Sequence, residues 1–230
     1  MYYIENNIKE ITAINQTINK YHNINPNIKF YPENDKEINK FLDIIKSFGK
    51  IDFDEFFNDS KIVDNNKEYI QSLKNWINFN EEIKTKLLYR LSDNGEQFSK
   101  FHELCDNKGP TLTLFHVKDG NIVGIYTSLP WDNISGWKGN DLETFIFNLS
   151  NNQKYKKISR DSSINCNPKY GPYTACFGCQ CECYTMKKIV IYSSSLNDYY
   201  ENGLEILPNN GQKKYFDLLE VEIFKILKKK

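Results

Sequence analysis

The chain has 230 residues, 40% hydrophobic and 14% aromatic, with 30 basic side chains balanced by 30 acidic ones. That is enough apolar material for a sizeable core, and it argues against a disordered tail. The zero net charge argues against a dedicated nucleic-acid binder, which needs a basic surplus for phosphates and Arg forks for bases; here 28 basic residues are Lys, and only Arg90 and Arg160 are Arg. No apolar run approaches about 18 residues, and the opening MYYIENNIKE lacks the basic-then-apolar order of a leader, so the expectation is a cytoplasmic protein without membrane insertion. In that compartment the six Cys read as thiols or metal ligands before disulfides.

Ile4, Ile11 and Ile18 are spaced by seven, with Ile14 and Tyr21 at complementary positions, and Pro26 closes the run. This is a short heptad seam: either a self-association helix over residues 1–25 or, as preferred, one amphipathic helix lying on the domain. Asn34 to Phe48 predicts a second helix, with Asn34 and Glu37 as a capping box and Gly49 as its stop. IDFDEFFNDS (51–60) carries four acids and three Phe. It reads as a docking peptide or, by preference, as a segment that tucks its Phe side chains into the neighbouring domain.

From Asp64 a further helix is expected, Asn65 and Glu68 forming its box and Tyr69, Ile70, Leu73, Trp76 and Ile77 lining one side. Beyond it, short apolar runs alternate with turn signals. TLTLFHV (111–117) and IVGIY (122–126), joined through Asp119-Gly120, predict a β-hairpin; ETFIFNL (143–149), KKIVIYS (187–193) and LLEVEIFKIL (218–227) predict further strands. In the last, Glu220 and Glu222 alternate with Leu219, Val221 and Ile223, the pattern of a strand with one wet face. Gln97–Cys105 is the helix expected within this region, with Phe98, Phe101, His102 and Cys105 on one face. The predicted class is α+β and mainly β: a two-sheet antiparallel β-sandwich flanked by a few helices. A helical N-terminal extension over 1–59 precedes the domain, which covers 60–230.

Four strings in order resemble one family. They are LLYRLSDNGEQFSKFHELCDNKGPTLTLF (87–115), IVGIYTSLPW (122–131), YGPYTACFG (170–178) and EVEIFK (220–225). Together they are similar to a TLDc domain, and SKIVDNNKEYIQSLKNWI (60–77) is similar to the helical lead-in that such domains carry. The resemblance implies two antiparallel sheets with helices at the side. It also implies association with oxidative-stress resistance and, for several members, binding of the vacuolar proton-pumping ATPase, some promoting separation of its V1 and Vo sectors. It supplies neither an accepted active site nor a cofactor.

The residues themselves give little chemistry. His102 and Cys105, three apart on the predicted helix with Asp106 adjacent, are the one pair to weigh as a Cys-His dyad; a buried thiol beside a core histidine is preferred. There is no G-x-S-x-G, H-E-x-x-H, P-loop or dinucleotide fingerprint. CFGCQCEC is a departure from the family's glycine-rich segment: Cys176, Cys179, Cys181 and Cys183, with Cys166 ten residues before Cys176. Four thiolates suit Zn²⁺ or Cu(I). As a strand the segment would hold Cys179 and Cys183 about 13 Å apart, so one ion requires a loop. Metal site, redox pair (Cys176 with Cys179) and packed, inert thiols stand as alternatives, the last preferred. Lys225 and Lys228–Lys230 make a short basic end, read as solvated.

The functional expectation is a non-enzymatic interaction module with a protein partner such as the V1 sector, no cofactor unless metal sits at the four cysteines, and no nucleic acid. The rivals are a structural subunit of a larger assembly and a thiol-dependent antioxidant enzyme.

Overall fold

The computed structural model describes residues 56–77, 83–134, 136–180, 185–208 and 212–228, all within the unit Asp54–Lys230. The expected helices at 1–25 and 34–48 lie outside the described residues. Helix α1 spans Lys67–Ile77. Its cap is Asn66, not Asn65: the Asn66 Oδ1 accepts from the backbone N–H of Glu68 (3.0 Å) and Tyr69 (3.2 Å). Asp64 and Asn65 instead take positive φ (44° and 57°) in the turn before it. Leu73 and Ile77 are buried, and Tyr69, Ile70 and Trp76 pack beside them, so the predicted stripe is the packed one.

The strands follow as β1 (Ile83–Arg90), β2 (Thr111–Val117), β3 (Ile122–Thr127), β4 (Trp137–Lys138), β5 (Phe145–Asn148), β6 (Gln153–Lys156), β7 (Ile164–Asn165), β8 (Tyr173–Thr174), β9 (Phe177–Gly178), β10 (Lys188–Ile191) and β11 (Lys214–Lys228). Helices α2 (Leu91–Asn94) and α3 (Phe98–Cys105) fall between β1 and β2, and α4 (Ser193–Tyr199) follows β10. Among the described residues no helix is long and apolar enough to cross a membrane.

All eleven strands join one antiparallel sheet, ordered β4-β7-β8-β9-β10-β11-β2-β3-β5-β6, with β1 also on β11. The expected pair of separate sheets is therefore one continuous sheet. The reason is the length of β11, 15 residues. Its first part pairs with β10 (Asp217 opposite Lys188) and its later part with β2 on one side and β1 on the other (Glu222 opposite Leu114 and Arg90). One strand thus serves two limbs.

The two faces of the first limb are both covered. Phe115, Val117, Val123, Ile125, Ile146, Val221 and Ile223 point into the central core, which the second limb closes with Ile164, Phe177, Ile189 and Ile191. On the opposite face, Leu112, Leu114, Tyr126, Phe147 and Phe224 lie under α1 and under Phe56 and Phe57. Those two Phe side chains are 0% and 1% exposed, so this part of the acidic-aromatic segment is tucked in and not displayed. A strand covered on both sides needs no polar face, which is why these runs are nearly continuously apolar.

The expected wet face of β11 is corrected by the same observation. Glu222 is 0% exposed, whereas Leu219 is 54% exposed. A register irregularity between Leu218 and Glu220 resets the alternation, turning Leu218 inward and Leu219 out.

Candidate functional site

The most heavily bonded polar site lies where β11 meets β1. Antiparallel register places Arg90 directly opposite Glu222. The Arg90 Nε donates to Glu222 Oε1 (2.8 Å), which also accepts from the Lys61 N–H (2.9 Å). Glu222 Oε2 accepts from the Ser60 hydroxyl (2.5 Å) and, more weakly, from the Ile62 N–H (3.4 Å). Two further guanidinium N–H groups go to Asp93 Oδ2 (2.9 Å) and to the Asp59 carbonyl. Asp93 also receives the Lys61 ammonium (3.2 Å), and Arg90 first, Lys61 second, hold its carboxyl below the usual range. Every oxygen of the buried carboxylate is satisfied, so the cluster fastens residues 59–62 across two strands; it presents no unoccupied acid or base.

Sequence pattern alone does not reveal this site, because the alternation in β11 puts Glu222 toward solvent. One signal was present: in a chain where 28 of 30 basic residues are Lys, Arg90 is one of two Arg, and a planar fork is what a buried carboxylate selects.

The His102–Cys105 pair does not form a dyad. Both sit on the buried face of α3, but the imidazole is engaged elsewhere. Its Nδ1 faces the Asp106 carboxylate (2.9 Å) and its Nε2 faces the backbone carbonyls of Asn167 (3.1 Å) and Tyr170 (3.0 Å). No hydrogen bond links it to Cys105. That thiol is 0% exposed, and burial, then Asp106, push it far above the ordinary thiol range. A base whose two nitrogens are both committed elsewhere is not placed to take a proton from a thiol to which it makes no hydrogen bond.

Of the four cysteines singled out as metal ligands, Cys181 and Cys183 lie outside the described residues. Cys179, the residue after β9, is buried in the central core. Cys176 is half-buried and takes a left-handed φ of 66° in the turn between β8 and β9. Burial, then Asp198, push its thiol up to about 11, with Lys157 opposing. Cys166 lies beside Asp132, and its thiol is likewise raised, mainly by burial. Among the described residues no group of three His, Cys, Asp or Glu side chains gathers in a metal-holding arrangement.

A scan against family models matches the TLDc domain over residues 56–227. The chain belongs to the TLDc family. A search of curated proteins finds no match.

The TLDc strings of this chain make sense as partners in space. SKIVD (60–64), LLYR (87–90), SDNG (92–95) and EVEIFK (220–225) meet at the Arg90–Glu222 cluster, four separate stretches tied by one carboxylate and one guanidinium. FHELCD (101–106) and YGPYTACFG (170–178) meet through His102, which spans from Asp106 to the carbonyl of Tyr170. Gly171 sits so close to Cys179 and Met186 that an added Cβ would come within 2.5 Å of the Met186 sulfur. The TLDc motifs here are joints of the scaffold.

Proposed function

We propose that this chain is a non-enzymatic TLDc interaction module that acts by binding a cytosolic assembly, with the V1 sector of the vacuolar proton-pumping ATPase as its partner, and that it contributes to oxidative-stress resistance through that binding. Family membership over residues 56–227 carries the reading. The chemistry of the buried groups supports it. The motif side chains able to move protons or attack substrates are spent on internal bonds, as at Glu222, Arg90 and His102, or have thiols raised by burial, as at Cys105 and Cys176. A thiol raised to about 11 carries little thiolate near neutrality, which weighs against a peroxide-reducing enzyme.

The described surface also offers apolar contact points. Ile134 is 73% exposed, and Trp137, on the edge strand β4, is 49% exposed with its indole against Tyr173 at 5.7 Å. The test is direct. Purified full-length chain is titrated against isolated V1 and isolated Vo, with binding read by surface plasmon resonance. Saturable binding to V1 that weakens in Trp137→Ala is the expected outcome. Absence of binding to V1 at micromolar concentrations removes this partner.

A further inference from the structure

On the α1 side of the sheet, three neighbouring strands set side chains in rows. Tyr126 of β3 stands opposite Phe145 of β5, which stands opposite Lys156 of β6; in the next row Gly124, Phe147 and Lys154 correspond. Lys154 and Lys156 are two apart on β6 and so share a face. Tyr126 and Phe145 stack at 5.0 Å, 23° from parallel, and Trp76 of α1 leans on Phe147 at 5.7 Å. Beside the last turn of α1 these elements line an open-sided cavity of about 360 Å³. Tyr126, Phe145, Trp76, Leu142, Lys154 and Lys156 are among the residues that line it.

Two features of the lining point to a ligand. Tyr126 is 3% exposed and lines the cavity, yet its hydroxyl makes no hydrogen bond among the described residues. Burial first, then the carboxylates of Glu143 and Asp141, hold that phenol well above its ordinary range, so it keeps a proton to donate. The second feature is uncompensated positive charge. Lys154 gives one N–H to the Trp76 carbonyl (2.7 Å) and lies 4.2 Å over the Phe145 ring, leaving two donors. Among the described residues Lys156 makes no ion pair, and it repels Lys154, whose pKa is lowered by burial and then by that neighbour. Glu143 is the one carboxylate on the lining. Lys157, next along, sends its ammonium to the Asp161 carbonyl instead (2.6 Å).

We propose that this cavity binds a small organic anion: a flat apolar body against Tyr126, Phe145 and Trp76, with a carboxylate or phosphate monoester held by the Tyr126 hydroxyl and the ammonium groups of Lys154 and Lys156. The volume stands at the lower end of the range for ligand sites and suits one or two fused rings. The aromatic lining contributes apolar contact, the two cations select charge, and the hydroxyl fixes the head group. This inference is independent of the protein partner proposed above.

Isothermal titration calorimetry on the full chain tests it with three probes: naphthalene-2-carboxylate, 2-naphthyl phosphate and the uncharged 2-naphthalenemethanol. At least one anion binds saturably at one site per chain, and the alcohol binds about tenfold more weakly or less. The tighter of the two anions names the head group. Tyr126→Phe and Lys156→Gln each weaken anion binding about three- to tenfold while leaving the thermal unfolding midpoint in place, since neither removes an internal hydrogen bond. The proposal is overturned if neither anion binds up to about 1 mM. It is equally overturned if the alcohol binds as tightly as the anions, or if both variants keep full affinity.

Discussion

The two limbs of the sheet are built on different physics. In the first limb, β2, β3 and β5 are covered on both faces, and Leu112, Leu114, Phe115, Val123, Ile125 and Ile146 are all at 0% exposure. Its strands hold by hydrophobic burial. In the second limb, β4, β7, β8 and β9 are two residues each, too short to hold by pairing alone. Besides the apolar side chains they send into the central core, such as Ile164 and Phe177, buried polar side chains tie them together. The buried Thr174 hydroxyl donates to the Ser163 carbonyl and accepts from the Tyr200 hydroxyl. Ser163 in turn accepts from the Asp141 N–H (3.2 Å) and donates to the Asp141 carbonyl (3.2 Å). The lesson is that one sheet can rest on apolar cover on one side of its long strand and need buried side-chain hydrogen bonds as well as apolar cover on the other.

The strongest way to break that contrast is at the strand both limbs share. Glu222→Gln removes the charge that Arg90, the Ser60 hydroxyl and the 61–62 backbone converge on and leaves the buried guanidinium with only the half-exposed Asp93 as counter-charge. The expected loss is about 3–5 kcal/mol, read as a lower urea midpoint at unchanged slope. Retention of wild-type stability would show that the cluster is decoration. In the apolar limb, Gly124→Ala pushes a methyl within 2.2 Å of the Thr113 carbonyl and 2.3 Å of the Phe147 ring, and should cost about 2–3 kcal/mol in the same assay.

One substitution sharpens the comparison by changing sign. Thr174→Val strips two buried hydrogen bonds from the polar limb and should destabilise by about 1–2 kcal/mol. Thr113→Val, in β2, deletes a hydroxyl that is buried without a partner among the described residues, and should stabilise by about 0.5–1 kcal/mol. Like signs for the pair would erase the distinction between the limbs.

The smallest effect concerns reactivity and leaves stability alone. With its thiol raised to about 11, Cys176 gains thiolate only as pH climbs toward that value. At pH 8 its thiolate fraction is roughly a hundredfold below that of an ordinary exposed cysteine. Iodoacetamide labelling mapped to Cys176 by mass spectrometry should therefore be slow at pH 8 and accelerate about tenfold per pH unit up to about 10. Labelling at Cys176 as fast at pH 7 as at pH 10 contradicts it.

The same contrast explains what could be read from the residues beforehand. The apolar strands β2, β3, β5 and β10 and the stripe of α1 are written in the order of their side chains, and the TLDc strings mark their sequence along the chain. The second limb is not written that way. Two residues such as Ile164–Asn165 or Phe177–Gly178 give no window in which a period of two can show. Their place depends on contacts such as that of Thr174 with Tyr200, 26 residues away. β1 was missed because Lys84, Thr85 and Lys86 interrupt its apolar run. Glu222 was misplaced because alternation reports which side chains share a face and says nothing of what covers it. The cavity beside α1 was equally invisible, since Tyr126, Phe145 and Lys156 become neighbours only through strand register.

β11 follows β1, β2 and β10 in chain order, and Arg90 and Glu222 are 132 residues apart. During synthesis the β2–β3 hairpin can close early, but β2 waits with one edge unpaired until residues 218–225 have been made. β1 waits for residues 222–228, and β10 for 214–217. Such distant pairings make for slow folding, and an apolar strand with an open edge is the usual template for pairing with a neighbouring chain. The strand that unites the two limbs therefore also sets the interval during which the nascent protein is most exposed to aggregation.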